Sequence, residues 1–349
     1  MTTTPAPTVA DLGERAIVER IRARAAEPPA FVSLGMGDDA AVLEPAPNRA
    51  EVVTTDALVE GVHFDRAYVP PSAIGHKALA VNLSDLAAMG AEPRAALLSL
   101  VLPGSMTVGD FDDMVDGFLA LAARSGVALV GGNVAQSPGP LMLDVTVIGS
   151  VKRRQVLVRG RAKPGDALYV SGVVGAAYAG FLASRAMAAA AGPGAGAAGD
   201  PEEMAACVER FLRPEPRLRL GLLLGRNRAA SSCIDLSDGL ADAVEQIARA
   251  GGVGAEIDGD AVPVPGEARR CFERLGGGRD PLDAAMTGGE DYELLFTVPA
   301  RRRRAFESVA RLVPGVPCTR IGTVTADRRV SVTRRGSRAP LPAGFAHFR

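Results

Sequence analysis

Histidine is scarce in this chain: only His63, His76 and His347 occur, so acid–base chemistry built on imidazoles is poorly supplied. Cysteine is scarce too. Cys207, Cys233, Cys271 and Cys318 are scattered without a C-x-x-C pair, which argues against a zinc cluster or a disulfide scaffold and fits a reducing cytosol. A net charge of −1 gives no global pull toward nucleic acid or a membrane surface. The opening MTTTPAPTVADLGERAIVERI lacks the basic flank and apolar core of a secretory signal. The apolar stretch Ala167 to Ala183 is broken by Gly172, Gly175 and Gly180, so it reads as a strand, a glycine turn and a helix start rather than a membrane span. No G-x-x-x-x-G-K-[ST] loop occurs anywhere, and a nucleotide would have to be held through metals instead of a P-loop.

What the chain does have is acids at glycine bends. Gly35-Met36-Gly37-Asp38-Asp39-Ala40-Ala41-Val42-Leu43 fits the loose form of a dinucleotide fingerprint, but the fit is poor physically. That loop offers bare N–H groups to a pyrophosphate, and Asp38 and Asp39 would repel the same anion unless a cation lay between. Three readings stand for this stretch alone: a Mg²⁺ site first, a direct phosphate cradle second, or an Asp-rich surface turn. Glu51 to Leu58 is β-branched enough for a strand whose period of two puts Thr54 and Asp56 on one face, Val53 and Thr55 on the other. Ile74 to Met89 reads as a helix, with Asn82, Ser84 and Asp85 as odd polar members of an apolar run. Buried, Asp85 needs a partner: a metal, a cationic ligand, or an arginine such as Arg94. Ser231 to Leu240 carries Asp235 and Ser237 on one side of a short strand and then turns at Asp238-Gly239 into an amphipathic helix. Helix capping accounts for Ser237 or Asp238 but leaves Asp235 unexplained. Gly288-Gly289-Glu290-Asp291 is a third such bend.

The remaining pattern is helix, strand, helix, strand, helix, strand, strand up to about residue 150, an α+β order. Asp11 and Glu14 mark the first helix start, with Ile17 and Ile21 on its apolar face and Pro28-Pro29 as its stop. A turn-rich basic connector follows Val151, which sets domains at 1–150 and 151–349. The stretch Ala188 to Gly199 is low-complexity and reads as a flexible insertion. From Arg301 onward twelve arginines face only Glu307 and Asp327, which reads as a solvated helix face, with a nucleic-acid patch as the minor alternative. If the acids converged without cations, each neighbouring pair at ~4 Å would repel by roughly 1 to 4 kcal/mol. Convergence would therefore imply bound divalent ions, and an oxygen-only donor set selects Mg²⁺ over Zn²⁺. Nearby cations such as Arg159 suit polyphosphate chemistry.

GMGDDAAVL, TTDALVEGVHF, HKALAVNLSDLAAMGAEP, VGGN, IDLSDGLADA and GGEDYELLF, in that order, resemble the thiamine-monophosphate kinase family, related to aminoimidazole ribonucleotide synthetase and selenophosphate synthetase. The resemblance implies ATP- and Mg²⁺-dependent phosphorylation of thiamine monophosphate to thiamine diphosphate by direct in-line transfer, in the cytoplasm. It implies a two-domain synthetase-like α+β fold: an N-terminal ATP/Mg-binding and dimerisation domain whose sheet pairs into a homodimeric β-barrel, and a C-terminal α/β domain completing the site. Neither nucleic acid nor membrane is implied as a partner. By motif, Asp39, Thr54, Thr55, Asp56, Asp85, Asn133, Asp235 and Asp238 correspond to metal ligands. Gly132, Asn133, Arg159 and Ser237 correspond to ATP contacts, and His63 and Glu290 to thiamine-phosphate contacts.

Three departures from the family pattern stand out. Asn133 replaces an acid found in many members, so the ion there would lose a charged ligand. Val134-Ala135-Gln136-Ser137 lacks the basic residue often seen after that motif. Near Pro342-Ala343 the bulky aromatic that covers the thiamine ring is replaced, with Phe345 as a substitute. Selenophosphate synthesis wants a reactive residue near the N-terminus, and the hydrogenase-maturation relative wants a C-terminal cysteine; this chain has neither. A catalytically weak dimeric nucleotide-binding or regulatory protein of the same fold is the rival reading.

Overall fold

A computed structural model describes residues 6–190 and 201–343 of the chain. The alanine- and glycine-rich segment beyond Ala190 and the substitute aromatic Phe345 lie outside the described residues. The chain divides into two compact units, residues 1–83 with 93–150 and residues 84–92 with 151–349.

In the first unit a four-stranded sheet runs in the order Ala50–Val59, Met142–Val151, Glu92–Pro103, Ala128–Ser137, and among the described residues it is open. Its last two strands are parallel, with a bulge between Ala96 and Leu97. Burial alternates along Ala50–Val59 with period two, so the side chains of Thr54 and Asp56 share the half-buried face and Val53 and Thr55 the exposed one. The same period on Met142–Val151 buries Leu143, Val145 and Val147 and turns Asp144 out. Helices Pro71–Ala88 and Val108–Ser125 approach at backbone distance: a Cβ on Gly75 would lie 1.8 Å from the Met114 carbonyl oxygen. The first helix starts differently from the sequence expectation. Thr8 and Asp11 form a capping box on a single turn, Val9–Leu12, and Gly13, at φ +74°, breaks it before Glu14–Arg24. Asp11 is thus spent inside the earlier turn, and that turn and break are why the long helix begins three residues later.

In the second unit seven strands run in the order Ser337–Pro340, Val330–Arg334, Gly254–Asp258, Cys318–Thr325, Ala167–Ser171, Leu294–Val298, Ser232–Asp235. Only the Val330–Arg334/Gly254–Asp258 pair is parallel. Alternation splits the sheet between two cores. Leu168, Val170, Ile234 and Leu295 pack with helices Ala176–Ala190, Leu240–Gly251 and Gly266–Leu275. Tyr169, Cys233 and Phe296 pack with helices Leu218–Arg226 and Arg303–Leu312 through Leu220, Leu224, Phe306 and Val309. A sheet covered on both faces leaves its loops and strand ends to carry chemistry.

Candidate functional site

Within the first unit the acidic loop 36–41 lines a cavity of about 660 Å³ together with the parallel pair at Leu97–Ser99 and Leu129–Val134. That volume accommodates a nucleotide-sized ligand. Asp39, Gly132 and Asn133 all line the cavity and are exposed. Asp38 Oδ1 accepts the Asp39 N–H at 2.8 Å, which turns the first carboxylate back onto the loop and leaves the second aimed outward. Gly132 is obligatory for packing, because a Cβ there would lie 1.8 Å from the Leu98 carbonyl oxygen. Gly131 and Gly132 line the cavity with no side chain of their own.

Thr55 is the member of the Thr54-Thr55-Asp56 triplet whose side chain points to the exposed face. Its hydroxyl bonds Asp144 Oδ1 at 3.0 Å, the Val145 carbonyl at 3.2 Å and Thr146 Oγ1 at 3.0 Å. Asp144 and Thr146 also line the cavity, and sequence reasoning assigned them no role. The signal existed: alternation along Met142–Val151 puts Asp144, Thr146 and Ile148 on one face. His63 follows the strand, half-buried, and its Nδ1 accepts the Val59 N–H at 3.1 Å. A neutral ring then carries its proton on Nε2. Arg94, the candidate partner for Asp85, pairs with Glu51 at 3.3 Å.

Within the second unit Asp235 ends its strand fully enclosed, and its Oδ2 accepts the Ser84 hydroxyl at 2.8 Å. Burial pushes its carboxyl from 3.8 up to about 7; the negative Asp85 adds to the shift, while Ser84 and Arg159 oppose it. Arg159 is exposed and its Nη1 donates to Gln246 Oε1 at 2.6 Å. Because the strand stops at Asp235, Ser237 sits in the following turn, exposed, with Asp238 half-buried beside it. The Ser237 carbonyl accepts the Glu290 N–H at 2.7 Å and the Leu236 carbonyl accepts the Tyr292 N–H at 3.0 Å, lacing the second and third glycine–acid bends together. Glu290 and Tyr292 both hold left-handed backbone, φ +64° and +48°, a strain of about 1–3 kcal/mol each that the lacing sustains.

Asp291 works differently from its neighbour. Its Oδ2 accepts the Gly175 N–H at 2.6 Å and its Oδ1 the Ala177 N–H at 3.0 Å, at the start of helix Ala176–Ala190. Burial nevertheless raises its carboxyl to about 7. Glu293 is also buried and is held by Arg217, whose Nε donates to Oε2 at 2.6 Å. Neither anchoring role was read from the sequence, where Asp291 stands only as part of the third glycine–acid bend and Glu293 is unmarked within GGEDYELLF.

Among the described residues no three His, Cys, Asp or Glu side chains gather into a metal-binding cluster. The donors present still suit magnesium, which takes one or two carboxylates together with substrate phosphates. They are oxygens throughout, and the buried Asp235 beside Asp85 carries a charge imbalance that a hard cation would relieve.

Two family descriptions match the chain: AIR synthase related protein, N-terminal domain, over residues 37–151, and AIR synthase related protein, C-terminal domain, over residues 163–335. The thiamine-monophosphate kinase of Escherichia coli K12 is 37% identical over 340 residues, covering 96% of this chain and 98% of that protein. The solved thiamine-monophosphate kinase of Stenotrophomonas maltophilia K279a is 41% identical, with a TM-score of 0.79 over 94% of this chain and 98% of that one. AaThiL, solved in complex with AMPPCP and TMP, is 31% identical and covers both chains completely, with a TM-score of 0.73. With both AIR synthase related domains present and relatives matched along almost their whole length, the chain belongs to the thiamine-monophosphate kinase family.

Proposed function

We propose that this chain transfers the γ-phosphoryl group of ATP to the phosphate of thiamine monophosphate, giving thiamine diphosphate. The observation that carries the reading is the full-length likeness to AaThiL, whose solved complex holds AMPPCP and TMP. In this reading the backbone of Gly132 and the amide of Asn133 receive the ATP phosphates in the first unit, and Arg159 and Ser237 contact ATP from the second. His63 and Glu290 bind the thiamine phosphate, with the Nε2 proton of His63 as a donor to a phosphate oxygen.

Asp39, Thr54, Asp56, Asp85, Asn133, Asp235 and Asp238 hold Mg²⁺ through side-chain oxygens. Thr55 would join them from the cavity side, where its hydroxyl bonds Asp144 and Thr146, while Thr54 and Asp56 lie on the strand's other face. Bound magnesium supplies charge neutralisation and alignment of the phosphates. The acceptor is itself an anionic phosphate, so no general base is needed, in keeping with three histidines in the chain. Residues 1–150 act as the ATP- and Mg²⁺-binding and dimerisation domain, and 151–349 as the domain that completes the site. Two copies pair through the N-terminal sheet into a β-barrel. Support for that pairing is the presence of exposed apolar side chains on strands of the first unit, Val53 at 62% and Val42 at 49%.

The test is to incubate the purified protein with Mg²⁺-ATP and thiamine monophosphate and to separate products by chromatography. Stoichiometric thiamine diphosphate and ADP are expected. Binding of ATP with no thiamine diphosphate would favour the regulatory reading. Light scattering reads the pairing, with twice the 36.0 kDa chain mass expected.

A further inference from the structure

At the other end of the strand that delivers Asp235, the second unit opens into a separate cleft of about 560 Å³. Ser231, which lines it, stands four residues before Asp235, roughly 13 Å away at strand rise. Six cationic side chains line this cleft: Arg154, Arg161, Lys163, Arg228, Arg301 and Arg302. They come from four separate segments of the chain, in a protein of net charge −1. The one carboxylate in the lining, Asp166, is buried and engaged, accepting from the Ser231 hydroxyl at 2.6 Å and the Lys163 N–H at 3.1 Å. None of the six cations forms an ion pair with a described residue.

Two of the guanidinium groups are positioned by the fold. Arg302 Nη1 donates to the Ala230 carbonyl at 2.7 Å, and Arg161 Nη1 to the Val156 carbonyl at 3.2 Å. Each anchor uses one N–H and leaves the rest of the donor fork for a ligand. Converging unpaired cations repel one another, and an anion with several charges relieves that repulsion. Guanidinium forks match phosphate oxygens in geometry as well as charge. A cleft of this volume fits a small molecule, whereas an extended polyanion is served by an open stripe.

We propose that this cleft is a second binding site, taking a small polyphosphate anion through arginine and lysine alone, without a divalent cation. It is separate from the acidic site at the strand's far end, so occupancy here can inform the chemistry there without competing for the same groups. The shared ligand chemistry is a run of two or three linked phosphates, either inorganic or esterified.

Calorimetric titration in EDTA isolates the cleft, because the acidic site repels free polyphosphate when magnesium is withheld. With inorganic triphosphate as probe, one site per chain is expected, with affinity falling steeply as salt rises. The exposed pair Arg154→Glu/Arg301→Glu should weaken binding at least tenfold with an unchanged melting temperature, while Arg159→Ala stays within twofold of wild type. Inorganic pyrophosphate and ADP are compared next: equal affinity shows that phosphates alone are read, and tighter ADP shows an ester, both within the proposal. No binding at low salt, an effect of Arg159→Ala in place of the cleft pair, or tighter binding of an RNA oligonucleotide would overturn it. The measurement needs no turnover, so it can fail or succeed independently of the kinase reading.

Discussion

Arg217 and Glu293 form a two-pronged ion pair in the interior of the second unit, at 9% and 1% exposure. The Ser171 hydroxyl adds a bond to Glu293 Oε2 at 2.6 Å, and Arg210 approaches Oε1 at 3.3 Å. The Glu293 carbonyl also accepts the Leu236 N–H at 2.8 Å, so the pair secures the backbone just ahead of Ser237 and Asp238. Removing one partner strands the other charge in a low-dielectric interior. Arg217→Met is expected to destabilise the protein by about 3 kcal/mol or more, read as a lower urea midpoint. Arg217→Met/Glu293→Leu should recover part of that loss. An Arg217→Met midpoint equal to wild type would show that Arg210 and Ser171 alone suffice.

Asp291 gives the fold a pH dependence of definite sign. Its carboxyl ordinarily titrates at 3.8, and burial raises it to about 7 in the folded chain. Between those values the folded state holds a proton that the unfolded state has released. The associated stability is full below 3.8, falls as pH rises through the window, and is lost above about 7. Asp291→Asn removes this contribution. Urea unfolding in EDTA between pH 5 and pH 8 should therefore show a shallower decline for the variant, by at most one proton or about 1.4 kcal/mol per pH unit. Identical slopes would mean that the Gly175 and Ala177 N–H groups keep Asp291 ionised throughout.

Much of this was legible in the sequence where one physical rule acted alone. Period-two alternation located Thr54 and Asp56 on one strand face, and the burial of Val52, Thr54, Asp56 and Leu58 follows it. The polar residues inside an apolar helix flagged Ser84, which donates to Asp235. The glycine–acid bends marked the loops that the backbone laces together. Harder to see were features set by distant partners. Asp291 looks like its neighbour Glu290 in sequence, yet it closes a helix start more than a hundred residues away. Gly132 stands in the sequence only as a motif counterpart of an ATP contact, but the Leu98 carbonyl is what forbids a side chain there. The tail arginines looked like one solvated face, whereas Arg301 and Arg302 join residues from three other segments around a cleft.

Asn133 offers a gain-of-charge test of the cavity in the first unit. It is exposed on the wall that also carries Asp39, Gly132 and Asp144. An amide oxygen can coordinate magnesium but contributes no net charge. Asn133→Asp adds one charge in a partly solvated setting, worth roughly 2 kcal/mol toward a divalent cation at about 4 Å in bulk water before ionic screening reduces it. The magnesium concentration for half-maximal activity is expected to fall about fivefold, with no comparable change in the metal-free melting temperature. A rise in that concentration would place Asn133 away from the ion and in contact with phosphate instead.

Asp235 is where function and stability are expected to part company. The side chain is enclosed, faces the like charge of Asp85, and has its carboxyl raised to about 7. Ionised without a cation, it works against the fold. Asp235→Asn keeps the shape and can keep the Ser84 hydroxyl bond, because Oδ1 of the amide can take the place of the accepting carboxylate oxygen. It removes only the charge. In EDTA at pH 8 the variant should be more stable than wild type by about 1–4 kcal/mol, the scale set by a carboxylate displaced by some three pK units. With magnesium and both substrates present, thiamine diphosphate formation should drop by about a hundredfold or more, the scale of losing one electrostatic contact to the reacting phosphates. A stabilised fold together with lost turnover excludes misfolding as the cause, and it matches the general pattern in which functional charges are held at the expense of stability. A variant that is less stable and fully active would assign Asp235 to structure and remove it from the proposed site.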